Sequence, residues 1–196
     1  MRFRVPAAVL AGGASRRMGR PKAALPYGPG TLLEHQTSRL FELFDEVWVV
    51  AKGEPPAPLG VARLLLDRTP DLAAIHGVVR ALEECEDAVF VLGVDLPLVA
   101  PAVIRGIVER GRTSAAPAVL PESDGELQPL AALWTRRVLE AARQNVLRGE
   151  LSLARLATGS DAAILREAEW RALDPSGNSF ANVNTVEEYL AVKDRA

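Results

Sequence analysis

The sequence of 196 residues predicts an α/β fold: one domain over residues 1–196, Rossmann-like and doubly wound, with a mostly parallel sheet, one antiparallel strand and a three-layer α/β/α arrangement. Three observations predict it. Val47-Trp48-Val49-Val50-Ala51 and Ala88-Val89-Phe90-Val91-Leu92-Gly93-Val94 are continuous apolar β-type runs, the composition of strands buried on both faces of a parallel sheet. Helical patterns alternate with these runs. Glycine, basic and acidic residues follow directly on strand ends, the edge at which doubly wound sheets bind their ligands.

Val5 to Leu10 reads as the first buried strand, with Pro6 tolerated only near its start. Thr31 and Glu34 form a capping box that opens a helix whose apolar face is Leu32, Leu33, Leu40, Leu43 and Phe44. His35 lies on this helix and is read as structural. After the strand Val47–Ala51, the proline-rich stretch Lys52 to Gly60 is a loop. Val61 to Leu66 is a strand ending in Asp67, Ala73 to Leu82 a helix, and Ala88 to Val94 a strand ending in Asp95. Ala100 and Pro101 open the next helix, with proline at its first position. Ala116 to Leu120 is a strand, Glu122 to Glu126 an acidic turn, and Leu127 to Trp134 an antiparallel return, which Pro129 marks as an edge or irregular strand. Helices follow at Thr135 to Leu147 and Ser152 to Ala157. Asp174 to Thr185 is irregular, and Thr185 with Glu188 caps a last helix.

The stretch from Val9 to Lys22 breaks from an apolar run into Gly12 and Gly13 and then carries Arg16, Arg17, Arg20 and Lys22. Glycines let backbone N–H groups approach phosphate oxygens, and the cations supply countercharge, so the loop suits an anionic phosphate chain. A P-loop is excluded, because Gly19 is followed by Arg20 and not by Lys and Ser or Thr; the Gly-x-Gly-x-x-Gly fingerprint does not fit either. Asp95, ending an apolar strand and fixed by Pro97, could bind a hard cation such as Mg²⁺. A turn or capping role is the other reading of Asp95, but Ala100 and Pro101 serve that cap better. Asp67 is either a nucleotide-binding acid or an exposed turn residue. Asn182 and Asn184 present both amides on one side of an extended segment, to serve a ligand or to tie loops together.

Lys and Arg number 23 against 25 Asp and Glu, a formal net charge of −2, which offers no nucleic-acid or membrane footprint. No apolar run approaches a membrane span, and the N-terminal residues lack a signal-peptide pattern, so a cytoplasmic location is expected. The one cysteine, Cys85, excludes an internal disulfide; its acidic neighbours Glu83, Glu84 and Glu86 are expected to raise its pKa.

Leu10-Ala11-Gly12-Gly13-Ala14-Ser15-Arg16-Arg17-Met18-Gly19 with Lys22, then Gly93-Val94-Asp95-Leu96-Pro97, resembles the nucleotidyltransferases of the nucleotide-sugar pyrophosphorylase type. With Gln128-Pro129-Leu130-Ala131-Ala132-Leu133 and Phe180-Ala181-Asn182-Val183-Asn184-Thr185, essentially the whole chain resembles the molybdenum cofactor guanylyltransferases of that superfamily. The resemblance implies transfer of GMP from GTP to the terminal phosphate of molybdopterin carrying molybdenum, with pyrophosphate released. It implies that Lys22 and Arg17 supply fixed positive charge and that Asp95 holds Mg²⁺. It implies that Leu10, Ala11, Gly12 and Gly13, with Asp67, contact the nucleotide, that Asn182 and Asn184 lie on the molybdopterin side, and that other cofactor-biosynthesis and acceptor enzymes are partners. Pro21 precedes Lys22 as in several cytidylyltransferase relatives, which keeps a cytidylyltransferase as the alternative; a nucleotide-binding protein without chemistry is the reading from another class.

Overall fold

Side chains alternate along the apolar runs so that each strand feeds two cores, and this alternation organises the computed structural model, which describes residues 2–12, 21–55 and 57–193. The strands are β1 (Ala7–Leu10), β2 (Pro26–Tyr27), β3 (Gly30–Thr31), β4 (Val47–Ala51), β5 (Arg63–Leu66), β6 (Ala88–Gly93), β7 (Ala118–Ser123), β8 (Glu126–Leu127), β9 (Ala131–Thr135) and β10 (Ala163–Leu165). The helices are α1 (Leu32–Phe41), α2 (Ala74–Glu84), α3 (Pro101–Thr113), α4 (Leu139–Leu147), α5 (Leu153–Gly159), α6 (Glu167–Leu173) and α7 (Val186–Val192). The main sheet runs β10-β7-β9-β6-β1-β4-β5, with β8 paired to the end of β7; β2 and β3 form a separate small hairpin.

β1 pairs in parallel with both β4 and β6, and β4 with β5, whereas β9 is antiparallel to β6 and β7. One face of the sheet, with Ala7, Val9, Val49, Phe90 and Leu92, packs on the side of α1, α3 and α6; the other, with Ala8, Trp48, Val50, Val89 and Val91, packs on the side of α2, α4 and α5. This is the three-layer, mostly parallel architecture, with β9 the antiparallel strand within the sheet and the short β8 antiparallel to the end of β7. The chain runs outward from β1 to β4 and β5, then returns to place β6 on the other side of β1. The carboxyl ends of β1 and β6 therefore flank the topological switch point, the place where such sheets open a crevice.

Both predicted capping boxes are present: the Thr31 hydroxyl accepts from the Glu34 N–H, the Thr185 hydroxyl from the Glu188 N–H, and each glutamate accepts from its cap residue's N–H. Other expectations need correction. The return Leu127 to Trp134 divides into β8 and β9, because Pro129 has no N–H for a ladder and sits in a turn closed by Ala131 N–H to the Gln128 carbonyl at 3.1 Å. β9 is consequently not an edge strand but lies between β6 and β7. The acidic turn is tighter than expected: Asp124 and Gly125 both take positive φ (51° and 78°), and β7 reaches Ser123. The helix predicted from Thr135 begins as a 3₁₀ turn, Arg136–Val138, before α4. The Cys85 thiol is pushed up to about 11, but burial is the main cause, not Glu83, Glu84 and Glu86.

β10 and α6 lie outside the elements that the sequence predicts. α6 delivers Trp170, which is fully buried, meets Phe180 edge-on at 4.8 Å, and donates from Nε1 to the Glu122 carbonyl at 2.8 Å. Among the described residues no helix is long and apolar enough to cross a membrane. Trp170→Ala removes a large buried ring and strands the Glu122 carbonyl. The expected loss is about 3–5 kcal/mol, read as a fall in Tm on the order of 10 °C for a chain of this size; a fall within a degree or two contradicts this assignment.

Candidate functional site

The carboxyl ends of β1, β4, β5 and β6 surround one cleft, lined by Leu10, Gly12, Lys22, Val50, Ala51, Lys52, Asp67, Leu72, Gly77, Gly93 and Asp95 among others. Its floor is backbone and small side chains. A Cβ on Gly77, in the first turns of α2, would sit 3.2 and 3.3 Å from the two methyls of Leu10, so glycine is what lets the helix lie this close to β1. Ala11 N–H donates to the Val50 carbonyl at 2.9 Å, which carries the β1 pairing to the lip of the cleft. Apolar walls (Leu10, Val50, Leu72) with a few convergent charges are the usual make-up of a small-molecule site.

Two ammonium–carboxylate pairs mark the two sides of the cleft. Lys22, in a 3₁₀ turn that follows Pro21, places Nζ 3.2 Å from Asp95 Oδ2 and donates to Asn184 Oδ1 at 2.7 Å. Asn184 comes from the segment before α7, 162 residues away in sequence. Across the cleft, Lys52 at the end of β4 donates to Asp67 Oδ2 at 2.6 Å and to the Thr69 hydroxyl and carbonyl at 2.7 and 3.1 Å. Asp67 is buried, not the exposed turn residue of one sequence reading. Burial alone would push its carboxyl up, but the bonds from Lys52 and from the Thr69 hydroxyl and N–H outweigh it, so its pKa lies below the ordinary carboxylate value.

Asp95 lies at a corner of a tight turn, Gly93 to Leu96, closed by Leu96 N–H to the Gly93 carbonyl at 3.2 Å. Its neighbours are tied to the sheet: Gly93 N–H donates to the Leu130 carbonyl at 2.7 Å and Val94 N–H to the Leu10 carbonyl at 3.2 Å. A Cβ at Gly93 would lie 2.5 Å from Asp95 Oδ1, so the carboxylate rests over the bare glycine backbone. Val183 N–H donates to the Asp95 carbonyl at 2.8 Å and brings Asn184 into the site. The segment leading there is anchored by Asp174, which accepts from the hydroxyls and N–H groups of Ser176 and Ser179. Ser179 Oγ in turn accepts from the Ala100 N–H at the start of α3.

The structure brings Leu10, Gly12, Lys22, Asp67 and Asp95 to one cleft and Asn184 to Lys22. Ala11 packs against the core beneath, and Asn182 is exposed one residue before the buried Val183. Gly13 and Arg17 lie outside the described residues. Sequence reasoning missed Lys52, although it ends a buried strand at the same edge, the signal that drew attention to Asp67 and Asp95. It also missed Gln36, which reaches the Asp95 turn from α1, and Arg39, which holds the chain just beyond it. His35, read as structural, places its Nε2 3.3 Å from the Pro97 carbonyl, and burial, helped by Arg39, lowers its pKa. Among the described residues no three His, Cys, Asp or Glu side chains converge as a metal cage. One accessible carboxylate suits a hard cation that draws its other ligands from a bound phosphate chain and water, and Asp95, with its side chain 24% exposed to the cleft, has that character.

Asp67 titrates below the unfolded carboxyl value of 3.8, so its contribution to stability is fully present above that value and is lost as pH falls through the lower folded pKa. Asp67→Asn should therefore be less stable than wild type at neutral pH, and the difference should shrink as denaturation is followed below pH 3.8. A difference that is constant from pH 7 to pH 3 contradicts this.

Residues 7–164 match the family described as MobA-like NTP transferase domain. A Mycolicibacterium paratuberculosis protein named probable molybdenum cofactor guanylyltransferase is 34% identical over 190 residues, which cover 94% of this chain and 92% of that one. A Mycobacterium tuberculosis protein of the same name is 35% identical over 171 residues, covering 84% and 85%. Among solved structures, molybdopterin-guanine dinucleotide biosynthesis protein A from Archaeoglobus fulgidus aligns with a TM-score of 0.86 at 22% identity over 97% of this chain and 98% of its own. 2-C-methyl-D-erythritol 4-phosphate cytidylyltransferase from Thermus thermophilus aligns with a TM-score of 0.71 at 20% identity over 98% of each chain. These two likenesses bear on the fold, whereas the match over residues 7–164 and the sequence relatives bear on descent. The chain belongs to the MobA-like NTP transferase family, an enzyme family that transfers nucleotides.

Proposed function

We propose that the protein transfers GMP from GTP to the terminal phosphate of molybdopterin carrying molybdenum, forming the guanine dinucleotide cofactor and releasing pyrophosphate. The observation that carries this reading is the junction of Lys22, Asp95 and Asn184. It joins the end of the glycine loop, the end of β6 and the segment before α7 at one point of the switch crevice. The names of the sequence relatives supply the substrates.

In the reaction an oxygen of the acceptor's terminal phosphate attacks the α-phosphorus of GTP. A new P–O bond forms, the bond from the α-phosphorus to the bridging oxygen breaks, and its electron pair leaves on pyrophosphate. A phosphate nucleophile is already anionic, so positioning and charge neutralisation do most of the work. Leu10, Ala11, Gly12 and Gly13 line the nucleotide side, with Asp67 and its partner Lys52 at the far wall. Lys22 and Arg17 supply fixed cations for the phosphates, and Lys22 exchanges its bond to Asp95 for one to a phosphate oxygen. Asp95 would hold Mg²⁺, which would supply positive charge to offset that developing on the leaving group. Asn182 and Asn184 face the acceptor. The product passes to acceptor enzymes of the cofactor pathway in the cytoplasm, where a single buried thiol such as Cys85 stays reduced.

Pyrophosphate release with molybdopterin as acceptor, measured with GTP and with CTP, tests the reading. Preferential turnover of GTP is expected. Preferential CMP transfer, the outcome that Pro21 would accompany, overturns the guanine assignment, and no release with either nucleotide overturns the transferase assignment. Asp95→Ala should lower turnover by more than about tenfold, roughly 1.4 kcal/mol of barrier. Gly93→Ala should lower turnover in the same sense with little loss of stability, because its Cβ displaces only the end of the Asp95 side chain. Activity of either variant close to wild type contradicts the role of Asp95.

A further inference from the structure

Gln36 is the only side chain on the α1 face between Leu32 and Leu40 that brings an amide into the core, and it is fully buried. Both of its N–H donors are used, and both are spent on the turn that carries Asp95. Nε2 donates to the Gly93 carbonyl at 3.2 Å and to the Leu96 carbonyl at 2.8 Å, the first and last residues of the turn. Two carbonyls on one side fix the amide with its NH₂ toward the turn. Its Oε1 has no hydrogen-bond partner among the described residues. A fully buried amide that leaves its acceptor unsatisfied while placing both donors on one four-residue turn is poorly explained by helix packing alone, which an apolar residue would serve better. One turn further along α1, Arg39 donates to the Pro97 and Val99 carbonyls and holds the chain that leaves the turn.

We infer that Gln36 is a positioning residue for Asp95: it clamps both ends of the Gly93–Leu96 turn and so fixes where the carboxylate stands relative to Lys22. The inference rests on the reading of Asp95 given under the proposed function. Gln36 touches neither nucleotide nor acceptor, and its effect passes through the turn backbone. β1 and Leu130 hold the turn through its N–H groups, whereas Gln36 holds it through its carbonyls, so the two sets of bonds are independent.

Gln36→Met keeps the length of the side chain and removes both donors; Gln36→Asn, one methylene shorter, is carried in parallel and decides the matter if the first variant does not fold. Amide hydrogen exchange by peptide, without ligands, should speed up by about tenfold over residues 93–99 and remain unchanged over β4. Turnover should fall by about tenfold, and the Mg²⁺ concentration for half-maximal turnover should rise, with KM for the acceptor unchanged. Unchanged exchange over 93–99, a uniform increase over the whole chain, or faster local exchange with turnover and Mg²⁺ dependence intact each overturns the positioning role. If wild type releases no pyrophosphate with GTP or CTP, the functional reading fails. In that case calorimetric titration of Mg²⁺ into the GTP-bound protein replaces turnover, and affinity equal in wild type and variant overturns the inference.

Discussion

A parallel strand that stops at the switch point leaves its last carbonyls and the following N–H groups without a continuing ladder, and buried groups of this kind must find partners. The Gly93–Leu96 turn meets this requirement by drawing on four distant parts of the chain: Leu10 of β1, Leu130 before β9, Gln36 of α1, and Val183 before α7. Each bond removes one way in which Asp95 could move. The same constraint that lets β6 end in the core thus produces a carboxylate of defined position, on elements that were each built for packing. It also explains why the segment from Asp174 to Thr185, without regular structure, is nonetheless held: Val183 completes the turn, and the Asp174 to Ser179 bonds hold the approach to it.

Charge in the cleft is balanced locally. Lys22 is shared between Asp95 and Asn184, and Lys52 between Asp67 and Thr69. The two pairs differ in kind. Lys52 and Asp67 form a short bond at 2.6 Å reinforced by Thr69 on both partners, with Asp67 buried, a fixed wall of the cleft. Lys22 and Asp95 lie farther apart at 3.2 Å, and Asp95, with 24% of its side chain exposed against 6% for Asp67, is the less desolvated carboxylate, so this pair is the one that costs less to part.

Much of this was legible in the sequence. Two-sided apolar runs such as Val47–Ala51 admit few environments other than a parallel sheet, and the rule that ligands bind at strand ends singles out the glycine loop, whose cations include Lys22, with Asp67 and Asp95. The capping boxes at Thr31 and Thr185 were legible because they are local, with both partners within three residues. What stayed hidden was non-local. Pro129 suggests an edge or irregular strand, and of the two the structure has the interruption: its turn lies outside the ladder and β9 inserts between β6 and β7. β10 has only three residues, too few for a period, and the value of α6 lies in Trp170 meeting Phe180 and Glu122. Gln36 gives a polar interruption on an apolar helix face, which a sequence presents as an exception to the pattern; only the fold shows the two carbonyls it serves.

In the function proposed above, the crevice at the ends of β1 and β6 is a nucleotide-transfer site organised on Asp95 and Lys22. A structure of the protein with GTP and Mg²⁺ bound tests it most directly. The expected result is the metal on the Asp95 carboxylate, the Lys22 ammonium on a phosphate oxygen in place of Asp95, and the α-phosphorus facing Asn184. A nucleotide seated elsewhere, or bound in this cleft with the Lys22 to Asp95 pair intact and the metal remote from Asp95, would contradict it.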